Sequence, residues 1–133
     1  MWRFVVVGAA SGLLFAVLDG LVNANPLAQR LYLVYRPIAR RSVNVLAGIL
    51  IDLCYGFAFA GLFLLLYESL PGGAGWLKGL SFGLIVWLLR GVTHALSNWM
   101  VFEIPPATVG YSLASELAEM LLLGLLYGLA LWP

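Results

Sequence analysis

The sequence predicts an all-α integral membrane protein, a bundle of four transmembrane helices, on three observations. Of its 133 residues, 63% are hydrophobic and only 10% charged, with a mean hydropathy of +1.01, whereas a soluble domain carries about 25% charged residues. Four apolar stretches each approach the ~20 residues that a span requires: Phe4 to Val22, Val43 to Leu66, Leu77 to Trp99 and Val109 to Trp132. Their apolar residues run without interruption, as in Gly61-Leu62-Phe63-Leu64-Leu65-Leu66, and lack the alternation of a β-barrel. The expectation is one transmembrane domain over residues 1–133, with little mass outside the bilayer.

The first stretch, with Arg3, an apolar run and Val22-Asn23-Ala24, has the parts of a secretory signal peptide, and is expected to be retained as an uncleaved first span. Asn25-Pro26, Pro71-Gly72-Gly73 and Pro105-Pro106 supply turn chemistry between spans. Trp2, Trp76 and Trp132 fall at one predicted interface, Trp99 and Tyr111 at the other, as amphipathic rings at headgroup level do. The first connection carries Arg30, Arg36, Arg40 and Arg41, against Arg3 and Lys78 on the opposite face. By the positive-inside rule that connection is cytoplasmic and both termini lie outside, in a bacterial inner membrane. Its arginines are expected to meet lipid headgroups or a partner. Leu27 to Tyr35, ahead of helix-breaking Pro37, reads first as a stop-transfer loop, with a short interfacial helix as the alternative.

Small residues recur at helical spacing. Gly8 and Gly12, Gly79 and Gly83, and Gly124 and Gly128 each put two glycines on one face, where backbones can approach closely. Gly8, Gly12, Asp19 and Asn23 align with Gly79, Gly83, Arg90 and His94 at an offset of 71, and Tyr55-Gly56-x-Ala58 with Tyr127-Gly128-x-Ala130 at 72. A tandem duplication of a two-helix unit accounts for both matches.

The polar residues inside the spans are the candidate site: Asp19, Asn23, Asp52, Arg90, His94, Glu116 and Glu119. A charge at mid-bilayer costs at least ~2.5 kcal/mol, so these residues are expected to face one another in a single network. Asn44, Tyr55, Trp87, Thr93, Ser97, Asn98, Ser112 and Ser115 surround them and suit a polar cavity in one half of the bundle. Four carboxylates against one obligate cation and one histidine exceed what a dry site tolerates; a carboxyl group is then protonated, solvated or holding a cation. In the purely structural version, Arg90 bridges Glu116 or Glu119, Asp19 reaches interfacial water and His94 donates to a carbonyl.

Known soluble-enzyme chemistry is not indicated. Glu116-x-x-Glu119 lacks the histidine of a di-iron Glu-x-x-His pair. A single histidine and no Cys-x-x-Cys-His leave haem without protein ligands, so no cofactor and no metal are expected. The lone Cys54 excludes an intrachain disulfide and is expected to be a buried small hydrophobe. A net charge of +1 and no basic run exclude a nucleic-acid footprint. Three functions remain. The first is an accessory or anchor subunit, touching the lipid bilayer and other membrane subunits or a second copy of itself. The next is an ion- or proton-coupled carrier or channel using the carboxylates and Arg90. The last is a membrane-embedded enzyme on lipid or quinone, with Glu116 or Glu119 as base and His94 as acid.

Overall fold

The computed structural model describes every residue except Arg40, Arg41 and Val43. It is all-helical, and four of its helices are long and apolar enough to cross a membrane. The helices are α1 (Trp2–Ala24), α2 (Pro26–Leu31), α3 (Val45–Leu66), α4 (Gly75–Val86), α5 (Thr93–Val101) and α6 (Pro106–Ala130). A π-helical stretch, Trp87–Val92, joins α4 to α5, so these three form one continuous third span.

The ends of the elements follow local chemistry. Asn25 leaves α1 in an extended conformation, and its side-chain oxygen accepts from the Ala28 amide, capping α2 directly ahead of Pro26. Asn44 caps α3 in the same way through the Ala47 amide. Pro106 opens α6 in the first turn, where its missing N–H is no loss. The loop before α4 turns at Gly72, whose φ of 119° is the left-handed region that favours glycine.

Residues 26–38 form no plain stop-transfer loop: α2 leads into a 3-10 helix, Tyr32–Ile38. Pro37 lies within that helix, which ends one residue later. The segment is tied to the start of α6, because Thr108 Oγ1 donates to the Leu31 carbonyl at 2.5 Å and the Tyr32 hydroxyl bonds Ser112 at 3.1 Å. Its Leu27, Leu33 and Ile38 side chains stay exposed, giving it an apolar outer face.

Two pairs of spans build the bundle: α1 packs along α3, α4 along α6, and α1 joins the pairs by crossing α6. Both seams are glycine seams. Gly56 of α3 nests between Gly8 and Gly12 of α1, so a Cβ there would lie 2.6 Å from the Gly8 carbonyl oxygen. Gly124 nests between Gly79 and Gly83 in the same manner, and Gly128 between Gly75 and Gly79. Two equivalent helix pairs match a duplicated unit, and the first-helix glycines correspond as aligned. The second helices do not: the partner of Gly56 is Gly124, one helical turn before the Gly128 of the sequence match. Gly124 and Gly128 stand four residues apart on α6, so a one-turn slip preserves the sequence likeness while changing the packing partner.

The core lies toward the termini. Phe63, Phe82 and Tyr127 pack ring against ring, Phe63 and Phe82 edge to face at 5.4 Å between centroids. The Tyr127 hydroxyl donates to Ser11 Oγ at 2.9 Å and lies 3.1 Å from the Gly56 carbonyl, tying α6 to both helices of the other pair. Arg3 stacks over Trp132 at 4.1 Å, which places both termini at one end of the bundle and the first connection at the other.

A Cβ at Gly79 meets backbone, whereas one at Gly20 meets nothing within 4 Å. Gly79→Ala is therefore expected to lose about 1 to 3 kcal/mol of stability from forced separation of α4 and α6. Gly20→Ala is expected to be neutral or to gain up to ~1 kcal/mol from helix propensity. Denaturant unfolding of both variants in mixed micelles checks this, and equal stabilities would contradict the seam.

Candidate functional site

The polar residues read from the sequence lie in the half of the bundle nearer the first connection, and their contacts fall into three neighbouring groups, of which the first two interact electrostatically through Arg90. The first is an ion pair between Arg90, in the π-helical stretch, and Glu116 of α6. The guanidinium also lies over the rings of Tyr55, at 5.0 Å, and Phe15, at 5.6 Å, so its faces meet aromatic carbon while its N–H groups remain free to bond. Gly91 makes room for Glu116: a Cβ at that position would stand 3.2 Å from the carboxyl carbon. Trp87 fixes the same stretch by donating its indole N–H to the Leu113 carbonyl at 2.9 Å.

The second group is a chain of carboxyls. Asp19 of α1 lies within hydrogen-bonding reach of Asp52 of α3 and of Glu119 of α6, in the electrostatic field of Arg90. Asp52 and Glu119 are buried. Among the described residues no N–H or hydroxyl group donates to any of the three. Asp19 therefore meets other carboxyls and not only interfacial water. Among the described residues, no set of three His, Cys, Asp or Glu side chains has the arrangement to hold a metal ion.

The third group is His94 with Asn98, one turn apart on α5. The Asn98 amide lies 3.1 Å from His94 Nε2. His94 thus meets a side-chain amide at Nε2. With Nε2 accepting from that amide, the ring's proton is on Nδ1. Asn23 stays apart from the carboxyls: its amide donates to the Asp19 backbone carbonyl one turn earlier, not to the Asp19 side chain.

The first and third groups line adjoining spaces. A cleft of about 750 Å3 lies under the first connection, with Asn23, Gln29, Tyr35, Arg36, His94 and Asn98 in its wall. A second, of about 450 Å3, lies between α3 and α5, where Tyr55 faces Arg90, Thr93 and Ser97, with His94 again in its wall. A smaller space of about 90 Å3 touches Tyr35, His94 and Glu116, so it adjoins both. Burial beside the Ser112 seam holds the Tyr32 phenol above its ordinary range. Of the other polar residues, Asn44 caps α3, Trp87 braces α6, and Ser115 bonds the Ser112 carbonyl within its own helix.

The remaining expectations divide. Gly8, Gly12, Gly79, Gly83, Gly124 and Gly128 all close seams within the chain, so those faces are used internally. Gly56, seen in sequence only through the repeat, and Gly75 are equally part of the seams, and Gly75-x3-Gly79-x3-Gly83 continues a visible pattern. Arg30 and Arg36 are exposed on the connection, while Arg40 and Arg41 lie outside the described residues. Cys54 is exposed instead of buried. The reason is geometric: Asp52, Gly56, Ala60 and Phe63 form the inward stripe of α3, and Cys54 falls on the opposite face.

No family model matches the chain, and no curated protein or solved structure matches it.

Removing one member of the Arg90 and Glu116 pair leaves the other charged without its partner. Arg90→Met is expected to lower stability by about 2 kcal/mol or more, and the double variant Arg90→Met/Glu116→Gln to recover part of it. A double-mutant cycle by unfolding in mixed micelles measures the coupling; additive effects would separate the two side chains.

Proposed function

We propose that this small membrane protein is a proton-coupled carrier in which Asp19, Asp52 and Glu119 hold and release the coupling proton. The observation that carries this reading is the carboxyl chain itself: three acids from three different spans, within hydrogen-bonding reach through Asp19, with no N–H or hydroxyl donor among the described residues. An ionised carboxyl only accepts hydrogen bonds. A bond from Asp19 to Asp52 or to Glu119 would therefore require a proton between the two groups. Such a cluster loses its internal bonds when it deprotonates, and the three helices then repel one another at that point. Proton occupancy becomes helix position, which is the coupling a carrier needs.

Two further features support it. The polar space between α3 and α5 reaches Arg90 and Glu116, while the rings of Phe63, Phe82 and Tyr127 fill the bundle toward the termini. Arg90, paired with Glu116 yet within the field of all three acids, stands between the cleft and the carboxyl chain. It offers a cation that a bound anion or a deprotonated carboxyl would compete for. The accessory-subunit reading loses the support of the glycine faces, which are spent on intrachain seams.

A pH jump across a solid-supported membrane carrying the reconstituted protein reads the charge movement directly. The wild type is expected to give a transient current that Glu119→Gln and Asp19→Asn abolish, with unchanged helical content and expression. A current that persists in both variants would overturn the carrier reading.

A further inference from the structure

The cleft under the first connection has a composition that the carboxyl chain does not explain. None of the residues lining it is acidic, and its wall carries Arg36, His94 and the amides of Asn23, Gln29 and Asn98. Among the described residues Arg36 forms no ion pair, the one salt bridge being that of Arg90 with Glu116. With His94 Nε2 taken up by Asn98, Nδ1–H is left as a donor. A wall of N–H donors, one fixed cation and no carboxylate is complementary to an anion with several acceptor oxygens, and a guanidinium pairs with phosphate through two parallel bonds.

The surroundings of the cleft say which anion. A second polar space, sharing His94 with the cleft, lies between α3 and α5 and reaches Tyr55, and Tyr55 also borders a shallow apolar groove of about 410 Å3 along the outer face of α3, with Leu50, Ile51, Cys54 and Ala58. Leu50, Ile51 and Cys54 are exposed there, on the side where lipid chains lie. Tyr55 thus stands at a junction, polar space on one side and hydrocarbon on the other. The roof of the cleft is the 3-10 helix, whose Leu33 and Ile38 are exposed and apolar while Arg36 borders the cavity. A soluble anion would need only the polar part.

From this juxtaposition we infer that the cleft is a binding site for the phosphate headgroup of an anionic phospholipid, with one acyl chain passing Tyr55 into the groove on α3. Arg36 binds the phosphate, His94 Nδ1–H and the Gln29 amide bond its remaining oxygens or the glycerol, and the gap between α3 and α5 is the lateral entrance. The inference stands on the cleft and groove and does not depend on the carrier reading: lipid binding without charge movement would leave it in place.

Native mass spectrometry of the full chain from mild detergent tests it, with equimolar dioleoylphosphatidylglycerol and dioleoylglycerol, which has the same chains and no phosphate. The wild type is expected to retain one phosphatidylglycerol and no dioleoylglycerol. Arg36→Gln is expected to weaken retention about tenfold or more, the scale of a lost bond to a charged group, whereas Arg36→Lys keeps most of it, which a folding defect would not. Cys54→Trp, filling the groove from an exposed position, is expected to weaken retention by a similar factor. Equal retention of dioleoylglycerol, retention unchanged in Arg36→Gln and Cys54→Trp, or displacement of the lipid by millimolar inorganic phosphate with no effect of Cys54→Trp would each overturn the proposal.

Discussion

Close contact of backbone against backbone at the two glycine seams is the constraint on which the remaining architecture rests. Between helices solvated by lipid there is no hydrophobic gain from association, because acyl chains are as apolar as leucine; van der Waals contact must do the work. Gly56 between Gly8 and Gly12, and Gly124 between Gly79 and Gly83, bring each pair close enough for that contact to be continuous. Once the pairs are fixed, their joint geometry is fixed as well. Helix α1 meets α6, while α3 and α5 are held in different pairs with polar space between them. The opening beside Tyr55 is therefore a consequence of where the glycines are.

The same geometry sorts the charges. Arg90 is carried to Glu116 by the α4 and α6 seam, within one pair, so the ion pair is local to that unit. Asp19 and Asp52 come from the other pair and reach Glu119 only because α1 crosses α6. Glu116 and Glu119, three residues apart on one helix, thus serve different neighbours: one faces a cation within its own pair, the other faces acids across the junction between pairs. Within a turn of α6 the bundle thus sets one carboxylate against a cation and another carboxyl group against acids.

Much of the fold is legible in the sequence, since length and continuous apolarity mark spans without reference to packing. The inward faces are harder to read. In a soluble helix the core stripe is the apolar stripe, but here both faces are apolar, and Cys54 looks as much like core as Ala60 does. What marks the interior is the exception: Ser11, Asp52 and Glu119 are buried, and so are the seam glycines. Reading polar and glycine positions as the inner stripe therefore recovers Asp52 and Glu119, while Asn23 and His94 remain exposed. It does not recover their partners, because a spacing of three or four residues fixes a face and not the neighbouring helix. The grouping of Asp19 with Asp52 and Glu119, and of His94 with Asn98, depends on crossing contacts that no periodicity encodes.

The π-helical stretch Trp87–Val92 also leaves no sequence signature, and it carries Arg90. A π turn is an α-helix holding one extra residue, and each residue of an α-helix turns the chain by about 100°. Everything after it, including His94, Ser97 and Asn98, owes its bearing on the cleft to that surplus residue. Closure of this stretch to plain α-helix with no residue lost would leave hydrophobicity and charge untouched, yet it would swing the rest of the third span by about 100°, more than a quarter turn. The polar lining would then point into lipid or into α6, so the reading frame of the cleft is set by one residue of slack.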